Sequence, residues 1–214
     1  MALAFGNTKG SAIKGAEAYK YKDDENVVRM VGGVLPRYVY WLKGSNGKDI
    51  PAECLAFSRD KEKFDNMEFD HVPKYFSDKK CQWAYAVNCI DPSDGKVKVL
   101  NLKKKLFQQV VDAANDGLGD PTDPIKGWDL VFKKKKTGPL AFNVEYTLSV
   151  LKLKPRALTQ EELAAVEAAE SIDVKIPRPS ADEIKALLEK IVNGGDDEET
   201  TTGAAGEAIN ELSQ

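Results

Sequence analysis

Two stretches of strict alternation, residues 82–90 and 96–102, constrain the fold of this chain more than any other feature. In QWAYAVNCI and in KVKVLNL, side chains of like character recur at every second position. A period of two is the period of a β-strand. The five residues between them, Asp91-Pro-Ser-Asp-Gly95, have the composition of a tight turn. The sequence therefore predicts an antiparallel hairpin.

An earlier segment, residues 27–42, is also predicted to be a strand. VVRMVGGVLPRYVYWL is rich in β-branched and aromatic residues. Gly32, Gly33 and Pro36 interrupt the run, which indicates a bulge or a bend. The dipeptide Asn46-Gly47 follows and is a strong hairpin signal. Residues 50–80 show no clear period and are predicted to be a loop with one short helix.

One helix and a second hairpin complete the predicted core. Apolar residues of 103–115 fall on one face of a helix. Residues 128–136 and 143–152 are predicted to pair around Thr137-Gly-Pro139. About five strands with a helix inserted after the third fit a small, mainly β, OB-fold-like five-stranded Greek-key barrel. A mixed α+β domain would show a similar pattern.

The C-terminal quarter differs in character. Thr159-Gln-Glu-Glu162 and Ser180-Ala-Asp-Glu183 are capping-box patterns, each predicted to open a short helix. The acidic, low-complexity end is expected to be disordered. The predicted organisation is a flexible basic arm over 1–25, an OB-fold core over 26–157, a helical extension over 158–195 and an acidic tail over 196–214.

Charge is divided unevenly along the chain. The formal net charge is −3, yet residues 1–157 hold 27 Lys and Arg against 20 Asp and Glu, whereas residues 158–214 hold 4 against 14. A basic body with an acidic end is typical of proteins with a polyanionic partner and an interaction tail.

Cysteine usage and hydropathy bear on the compartment. The three cysteines include no CxxC pair, which fits a reducing compartment. The N-terminus lacks the features of a secretory signal, and no stretch approaches the roughly 18 apolar residues of a membrane span. We therefore expect a soluble, intracellular protein without a membrane partner.

Aromatic and basic residues interleave along the predicted barrel. Single-stranded nucleic acid requires this combination, because cations follow the phosphates and flat rings stack on exposed bases. Trp83 and Tyr85 also fit the core of an alternating strand. The candidate residues are Arg29, Arg37, Tyr38, Tyr40, Trp41, Lys43, Lys79, Lys80, Trp83 and Tyr85.

Two lysine runs extend this candidate surface. Lys103, Lys104 and Lys105 open the predicted helix, where positive charge opposes the helix dipole. In the run Lys133–Lys136, alternate side chains point to opposite faces of a strand, so Lys133 and Lys135 are the candidates for one groove. A solvated surface that resists edge pairing is the alternative interpretation of this run.

Metal binding and catalysis have weak support in the sequence. Cys54, His71, Cys81 and Cys89 are the residues that a structural zinc would use, but no two lie within four positions of each other. The chain has one histidine and none of the common nucleophile, phosphate-loop or metalloprotease motifs. We predict no cofactor, no metal, no catalytic residue and no enzymatic activity.

The acidic tail is a candidate for partner binding. Asp196, Asp197, Glu198 and Glu199 form an acidic run, and Ile209 and Leu212 belong to a short apolar patch beyond it. Such a segment fits a peptide that partner proteins capture, or one that competes with a polyanion for the basic body. A solubilising end is the alternative interpretation.

Several segments resemble a known family. Residues 82–92, QWAYAVNCIDP, with Asp94-Gly-Lys-Val97 and the following basic patch, resemble the middle of the gene-32-type single-stranded-DNA-binding proteins of tailed bacteriophages. GWDLVFK at 127–133 and Val144-Glu-Tyr-Thr-Leu148 resemble the paired strands that close their barrel. The resemblance covers about residues 27–153 and rests on the order of motifs more than on identity.

This resemblance implies an OB-fold that binds single-stranded DNA without sequence preference in phage replication, recombination and repair, in the cytoplasm of an infected bacterium. It implies an acidic tail that recruits phage replication and recombination proteins. Arg29 would match a cleft arginine, Tyr38 and Tyr40 the aromatic first strand, and Lys103 to Lys105 the basic patch.

Two departures from the family stand out. The zinc-binding cysteine cluster is missing from residues 54–81, which indicates loss of the metal. The basic N-terminal arm is only faintly matched by NTKGSAIK at 7–14, which leaves self-association on DNA open. A protein-interaction module and an RNA-binding barrel are the alternative functions.

Overall fold

The computed structural model describes residues 17–139 and 143–194, which form a mainly β structure. The strands in this part of the chain are β1 (Asp24–Leu35), β2 (Tyr38–Lys43), β3 (Asp49–Glu53), β4 (Phe57–Ser58), β5 (Lys63–Phe64), β6 (Gln82–Trp83), β7 (Ala86–Asp91), β8 (Lys96–Asn101), β9 (Leu130–Lys136) and β10 (Val144–Leu148). The helices are α1 (Val72–Tyr75), α2 (Lys104–Ala113), α3 (Gln160–Ala168), α4 (Ile172–Lys175) and α5 (Ala181–Val192).

The largest unit is an antiparallel sheet of five strands in the order β10-β9-β1-β7-β8. In chain order these are β1, the hairpin β7–β8, then α2, then the hairpin β9–β10. The predicted mainly β architecture, with five core strands and a helix after the third, is thereby confirmed, and the sheet is consistent with an OB-like fold. The apolar side of α2 packs Leu106, Val110 and Ala113 into the main core with Trp128.

Strand β1 is the central strand of this sheet and has a bulge. Its first half pairs with β9 and its second half with β7. Between Val31 and Val34 the register with β7 shifts, and Gly32 there adopts φ +72°, a left-handed conformation that favours glycine. The predicted bend is confirmed.

The single strand predicted over 27–42 is wrong, since the structure divides it at Pro36. The part after the proline, β2, belongs to a separate sheet ordered β3-β2-β6, in which Asn46-Gly47 makes the β2–β3 turn. Proline lacks the amide hydrogen that a continuous central strand would use.

The loop predicted over 50–80 is also incomplete. This segment contains β3, the two-residue pair β4–β5 and α1. Strands of two residues show no alternation that a pattern could reveal. They are held by tertiary contacts, as when Phe57 packs into the main core.

The C-terminal helices pack onto the β structure. Both capping boxes form as predicted, Thr159 with Glu162 and Ser180 with Glu183. Helix α5 buries Ile184, Leu188 and Ile191 in a second core against β2, β3 and α1. Helix α4, which the sequence did not predict, places Ile172 in a small cluster on the far side of the five-stranded sheet.

The predicted flexible arm over 1–25 is wrong for residues 17–25. Tyr19 and Tyr21 are buried, and the Tyr19 amide donates a hydrogen bond to the Val99 carbonyl at 2.8 Å. The two tyrosines pack edge to face beside Phe132, so apolar burial fixes the segment. Residues 1–16 and the predicted tail 196–214 lie outside the described residues.

None of the helices in the described ranges combines the length and apolar character needed to cross a bilayer.

Candidate nucleic-acid interface

A group of partly exposed aromatic side chains lies where the two sheets meet. We define the aromatic surface as Tyr38, Phe64, Trp83 and Phe107, each half-buried or exposed. The ring centroids of Tyr38 and Phe64 are 5.0 Å apart, those of Tyr38 and Trp83 are 6.2 Å apart, and those of Trp83 and Phe107 are 5.8 Å apart. The four rings therefore form one connected, partly exposed surface.

Buried rings support this surface from beneath. Tyr85 stacks on Trp83 with a centroid distance of 3.5 Å and an interplanar angle of 12°. Phe57 packs against both Tyr38 and Phe64. The outer rings thus rest on a packed layer, which limits the side-chain entropy lost when a ligand stacks on them.

Four different elements, β2, β5, β6 and α2, position the surface. Strand pairing places Tyr38 of β2 opposite Trp83 of β6, and β5 brings in Phe64. The Trp83 Nε1 donates a hydrogen bond to the Leu102 carbonyl at 2.8 Å. This bond fixes the indole at the residue just before α2, so the aromatic surface and the helix start lie side by side.

The first lysine run begins α2 at this point. Lys103 is the N-cap in extended conformation, and Lys104 and Lys105 are exposed in the first turn, which contains no acidic residue. Lysines at a helix N-terminus add to the positive end of the helix dipole, which makes the turn a site of positive potential. The Lys103 Nζ lies 5.6 Å from the Tyr21 ring centroid and 5.9 Å from that of Tyr146, at cation–π distance.

The second lysine run lies on the hairpin β9–β10 and divides between two faces. In the strand register, Lys134 lies opposite Tyr146, whose ring is near Lys103. Lys136 lies on the same face of β9 as Lys134. Lys133 and Lys135 lie on the opposite face. The selection of Lys133 and Lys135 for the groove is therefore wrong, because the alternation of β9 turns them away from α2.

Acidic neighbours occupy that opposite face. In the strand register, Lys133 lies opposite Glu25 of β1, and Lys135 lies opposite Glu145 of β10. A hydrogen bond from Lys152 lowers the pKa of Glu25, with a further contribution from Lys133. The outer face therefore carries glutamates beside its lysines, while on the other face Lys134 Nζ lies 3.2 Å from Asp23.

Two predicted arginines are interior residues, which corrects their assignment to a cleft. Arg29 is 1% exposed and donates hydrogen bonds to the carbonyls of Asp123 at 2.8 Å and Arg156 at 3.1 Å. Arg37 is buried and donates from Nε to the Ala84 carbonyl at 2.9 Å. Burial lowers the pKa of Arg37 to about 10, so it stays charged at neutral pH. Both side chains bind backbone carbonyls inside the protein.

Tyr40 and Tyr85 are likewise buried. The Tyr40 hydroxyl donates a hydrogen bond to Asp70 Oδ2 at 2.7 Å, and burial raises the pKa of the phenol. The Cys54 Sγ lies 3.3 Å from the same carboxylate oxygen. Tyr40 is therefore a core residue and its predicted place in the groove is wrong. Tyr85 contributes from below, as the ring on which Trp83 stacks.

The remaining candidates lie away from the aromatic contacts. Trp41 and Lys43 alternate with Tyr40 along β2 and so point to its other side, where Lys43 Nζ lies 2.7 Å from Asp49. Lys79 pairs with Asp78 at 3.2 Å, and Lys80 is exposed in the same loop. Sequence reasoning missed Phe64, which lies in a two-residue strand without a period, and treated Phe107 only as part of a helix face.

The candidate zinc ligands are divided between the two cores. Cys54 and Cys81 lie in the second core near Asp70, whereas Cys89 is buried in the five-stranded sheet. Within residues 17–139 and 143–194, no group of three or more His, Cys, Asp or Glu side chains has a metal-binding arrangement.

Comparison with known proteins gives one informative similarity. No family model matches the chain. A protein of Escherichia phage T5 named "Probable ssDNA-binding protein" is 29% identical over 243 aligned residues, which cover 96% of this chain and 94% of the phage T5 protein. The chain is thus similar along nearly its whole length to a phage protein, while the gene-32 type remains a prediction.

Proposed function

We propose that this chain binds single-stranded DNA without sequence preference and without acting on it chemically. The observation that supports this most directly is the contact between the aromatic surface and the lysine-bearing start of α2. The name of the similar phage T5 protein agrees with the proposal. In this arrangement bases stack on Tyr38, Phe64 and Trp83, while phosphates follow Lys103, Lys104 and Lys105.

The physical basis is that rings contact the bases while cations contact the phosphates. Every base has a flat face, so stacking tolerates any sequence and contributes roughly 1–3 kcal/mol per base. Bases in a duplex are already stacked and paired, so rings at a surface favour the single strand. Lysines release counterions from the phosphates, which makes binding strongly salt-dependent.

The biological role follows as a further part of the proposal. The chain would coat single strands during phage DNA replication, recombination and repair in the cytoplasm of the infected bacterium. The acidic segment Asp196–Glu199, with Ile209 and Leu212, would recruit replication proteins. The charge division along the sequence supports this assignment of the tail.

A titration tests the proposed function. Purified protein is titrated with oligo-dT, an equivalent RNA oligomer and a DNA duplex of equal length, at low and at moderate salt, with intrinsic tryptophan fluorescence as the signal. We expect the tightest binding and the strongest quenching with oligo-dT, and a steep loss of affinity with salt. Equal or tighter RNA binding would favour the RNA-binding barrel. Absence of nucleic-acid binding would favour a protein-interaction module.

A matched pair of variants tests the location. Phe64 and Phe69 are 48% and 50% exposed, but only Phe64 belongs to the aromatic surface, whereas Phe69 lines a different cleft with Leu55 and Pro179. We expect Phe64→Ala to weaken oligo-dT binding by roughly 1–3 kcal/mol and Phe69→Ala to leave it unchanged. Equal effects of the two substitutions would mean that the aromatic surface is not the binding site.

A further inference from the structure

A cavity of about 380 Å³ continues from the aromatic surface. It lies between the β1 bulge, one side of α2 and the loop that follows that helix. Phe107 belongs both to the aromatic surface and to the cavity wall. The residues that matter for its chemistry are Gly32, Gly33, Phe107, Val111, Asn115 and Thr122.

The wall formed by the loop is held in place from inside the protein. The buried Arg29 guanidinium donates to the Asp123 carbonyl at 2.8 Å, directly beside the wall residue Thr122. The buried Trp128 Nε1 donates to the Gly119 carbonyl at 3.0 Å. At Gly127 a Cβ would lie 2.4 Å from the Asp123 carbonyl oxygen, so the loop packs there with no space for a side chain. The cavity is thus preformed and does not require ligand to shape it.

The mouth of the cavity is open because the bulge has no side chains. A Cβ added at Gly32 or Gly33 would meet no atom within 4 Å. The register of β1 and β7 skips both residues, so their peptide groups fall outside the regular strand pairing. The bulge therefore offers backbone donors and acceptors at the edge of an apolar space.

The wall chemistry matches a nucleobase better than a phosphate. Phe107 and Val111 supply apolar contacts for a flat ring, and Asn115 and Thr122 supply polar groups for its edge. Asp120 lies at the same rim, where its carboxylate accepts hydrogen bonds from the Thr122 amide and hydroxyl at 2.8 Å each. A carboxylate repels the DNA backbone but accepts hydrogen bonds from base amino and imino groups.

We infer that this cavity, the bulge pocket, accepts one unstacked nucleobase of the bound strand. The inference rests on the proposed function, since it assigns a subsite within the same interface. The strand would pass from Trp83 over Phe107 and place its next base between the β1 bulge and α2.

A single abasic site moved along a short oligo-dT tests the bulge pocket. Each oligomer is bound to wild-type protein, to Val111→Phe, which fills the pocket, and to Val150→Phe. Val150 is exposed and lines a different cleft on the other side of α2. Val150→Phe therefore makes the same uncharged substitution outside the pocket. Affinity is measured by fluorescence anisotropy of an end-labelled strand.

For wild-type protein and for Val150→Phe, we expect an abasic site at one particular position to lower affinity about five- to tenfold, the lower end of the range for one lost stacking contact. For Val111→Phe, we expect the intact oligomer to bind five- to tenfold more weakly and the sensitivity at that position to disappear, because the pocket is already filled. Gly33→Val, on the opposite wall, should act in the same way and replaces Val111→Phe if the latter fails to fold.

Three results would overturn the inference in distinguishable ways. If wild-type protein binds oligo-dT and Val111→Phe and Gly33→Val match Val150→Phe, the pocket is not a base subsite while the proposed function stands. If the pocket variants bind weakly but keep the full position-dependent sensitivity, their effect is structural. If wild-type protein does not bind oligo-dT, the proposed function and the pocket fail together.

Discussion

The first and third residues of strand β2 are both tyrosines, yet they lie in different surroundings. Tyr38 and Tyr40 are two positions apart and lie on the same side of the strand. Tyr38 is half-buried among Phe57, Phe64 and Trp83 and belongs to the aromatic surface. Tyr40 is 5% exposed, and its hydroxyl is bonded to Asp70.

The difference in burial comes from the elements that pack around each tyrosine. Tyr40 is buried in the second core together with Val72 of α1 and with Leu188 and Ile191 of α5. Tyr38 lies only at the edge of that core and contacts Phe64 of β5 and Trp83 of β6. An aromatic residue in a strand is therefore a potential stacking site only where no helix covers it. We expect substitution of Tyr40 to change the stability of the fold and substitution of Tyr38 to change binding.

The largest expected effect is on stability. Tyr40→Ala should lower the free energy of unfolding by roughly 3–5 kcal/mol, as for other buried aromatic side chains, because it leaves a cavity and removes the hydroxyl that donates to Asp70. Urea denaturation measures this loss. The fraction that remains folded should bind oligo-dT with wild-type affinity. A stable Tyr40→Ala variant with weakened binding would contradict the comparison.

The next effect is on affinity. Tyr38→Ala should weaken oligo-dT binding by roughly 1–3 kcal/mol, because it removes a stacking ring at the surface. Isothermal titration of folded protein measures the change, with Tyr40→Phe as control, since that variant keeps the buried ring. Unchanged affinity for Tyr38→Ala would place the binding site elsewhere.

A smaller effect is expected in the salt dependence. Replacing Lys104 and Lys105 together by alanine should reduce the slope of log affinity against log salt by about 1.4, or about 0.7 for each lost phosphate contact with a single strand. The matched double substitution of Lys133 and Lys135 should change the slope less, since Glu25 and Glu145 lie opposite them. Equal slopes for the two double variants would show that the ligand does not distinguish the start of α2 from the outer face of β9.

The smallest expected effect is on the reactivity of the three cysteines. A hydrogen bond from Cys54 lowers the pKa of Cys81 to about 7. The pKa of Cys54 is raised by its contact with Cys81 and by burial, and burial raises the pKa of Cys89. A lowered pKa leaves the reactive thiolate populated at neutral pH. Cys81 should therefore react first with iodoacetamide, at a rate that rises as pH increases through about 7. Because Cys81 lies two residues before Trp83, bound oligo-dT should slow the reaction.

Mass spectrometry after brief alkylation identifies the modified cysteine. Cys81→Ser is the control and should abolish the fast reaction. Comparable early modification of Cys54 would show that the second core is more open than the structure indicates, and comparable modification of Cys89 would show the same for the main core.

Local patterns predicted several elements correctly. Most of the alternating stretch 82–90 became β7 and that of 96–102 became β8, although Gln82 and Trp83 form β6 in the other sheet. The apolar face of 103–115 became α2. The capping boxes at Thr159 and Ser180 began α3 and α5. These signals act between residues that are close in the chain, so their physics is present in the sequence itself.

The candidate site was harder to predict because it depends on contacts across the chain. Arg29 and Arg37 have the composition of a DNA cleft, yet both bind carbonyls that lie distant in sequence, such as those of Asp123 and Ala84. Phe64 entered the aromatic surface through the pairing of two-residue strands. No window of neighbouring residues contains that information.

The sequence by itself determined the order of the main strands, the inserted helix, the capped helices and the charge division between body and tail, since each follows from a local period or from composition. Only the tertiary structure decided which aromatic and basic side chains face outward. Burial depends on which elements pack together, and here α5, about 140 positions after β2 in the chain, belongs to the core that buries Tyr40, while Tyr38 at the edge of that core stays half-buried.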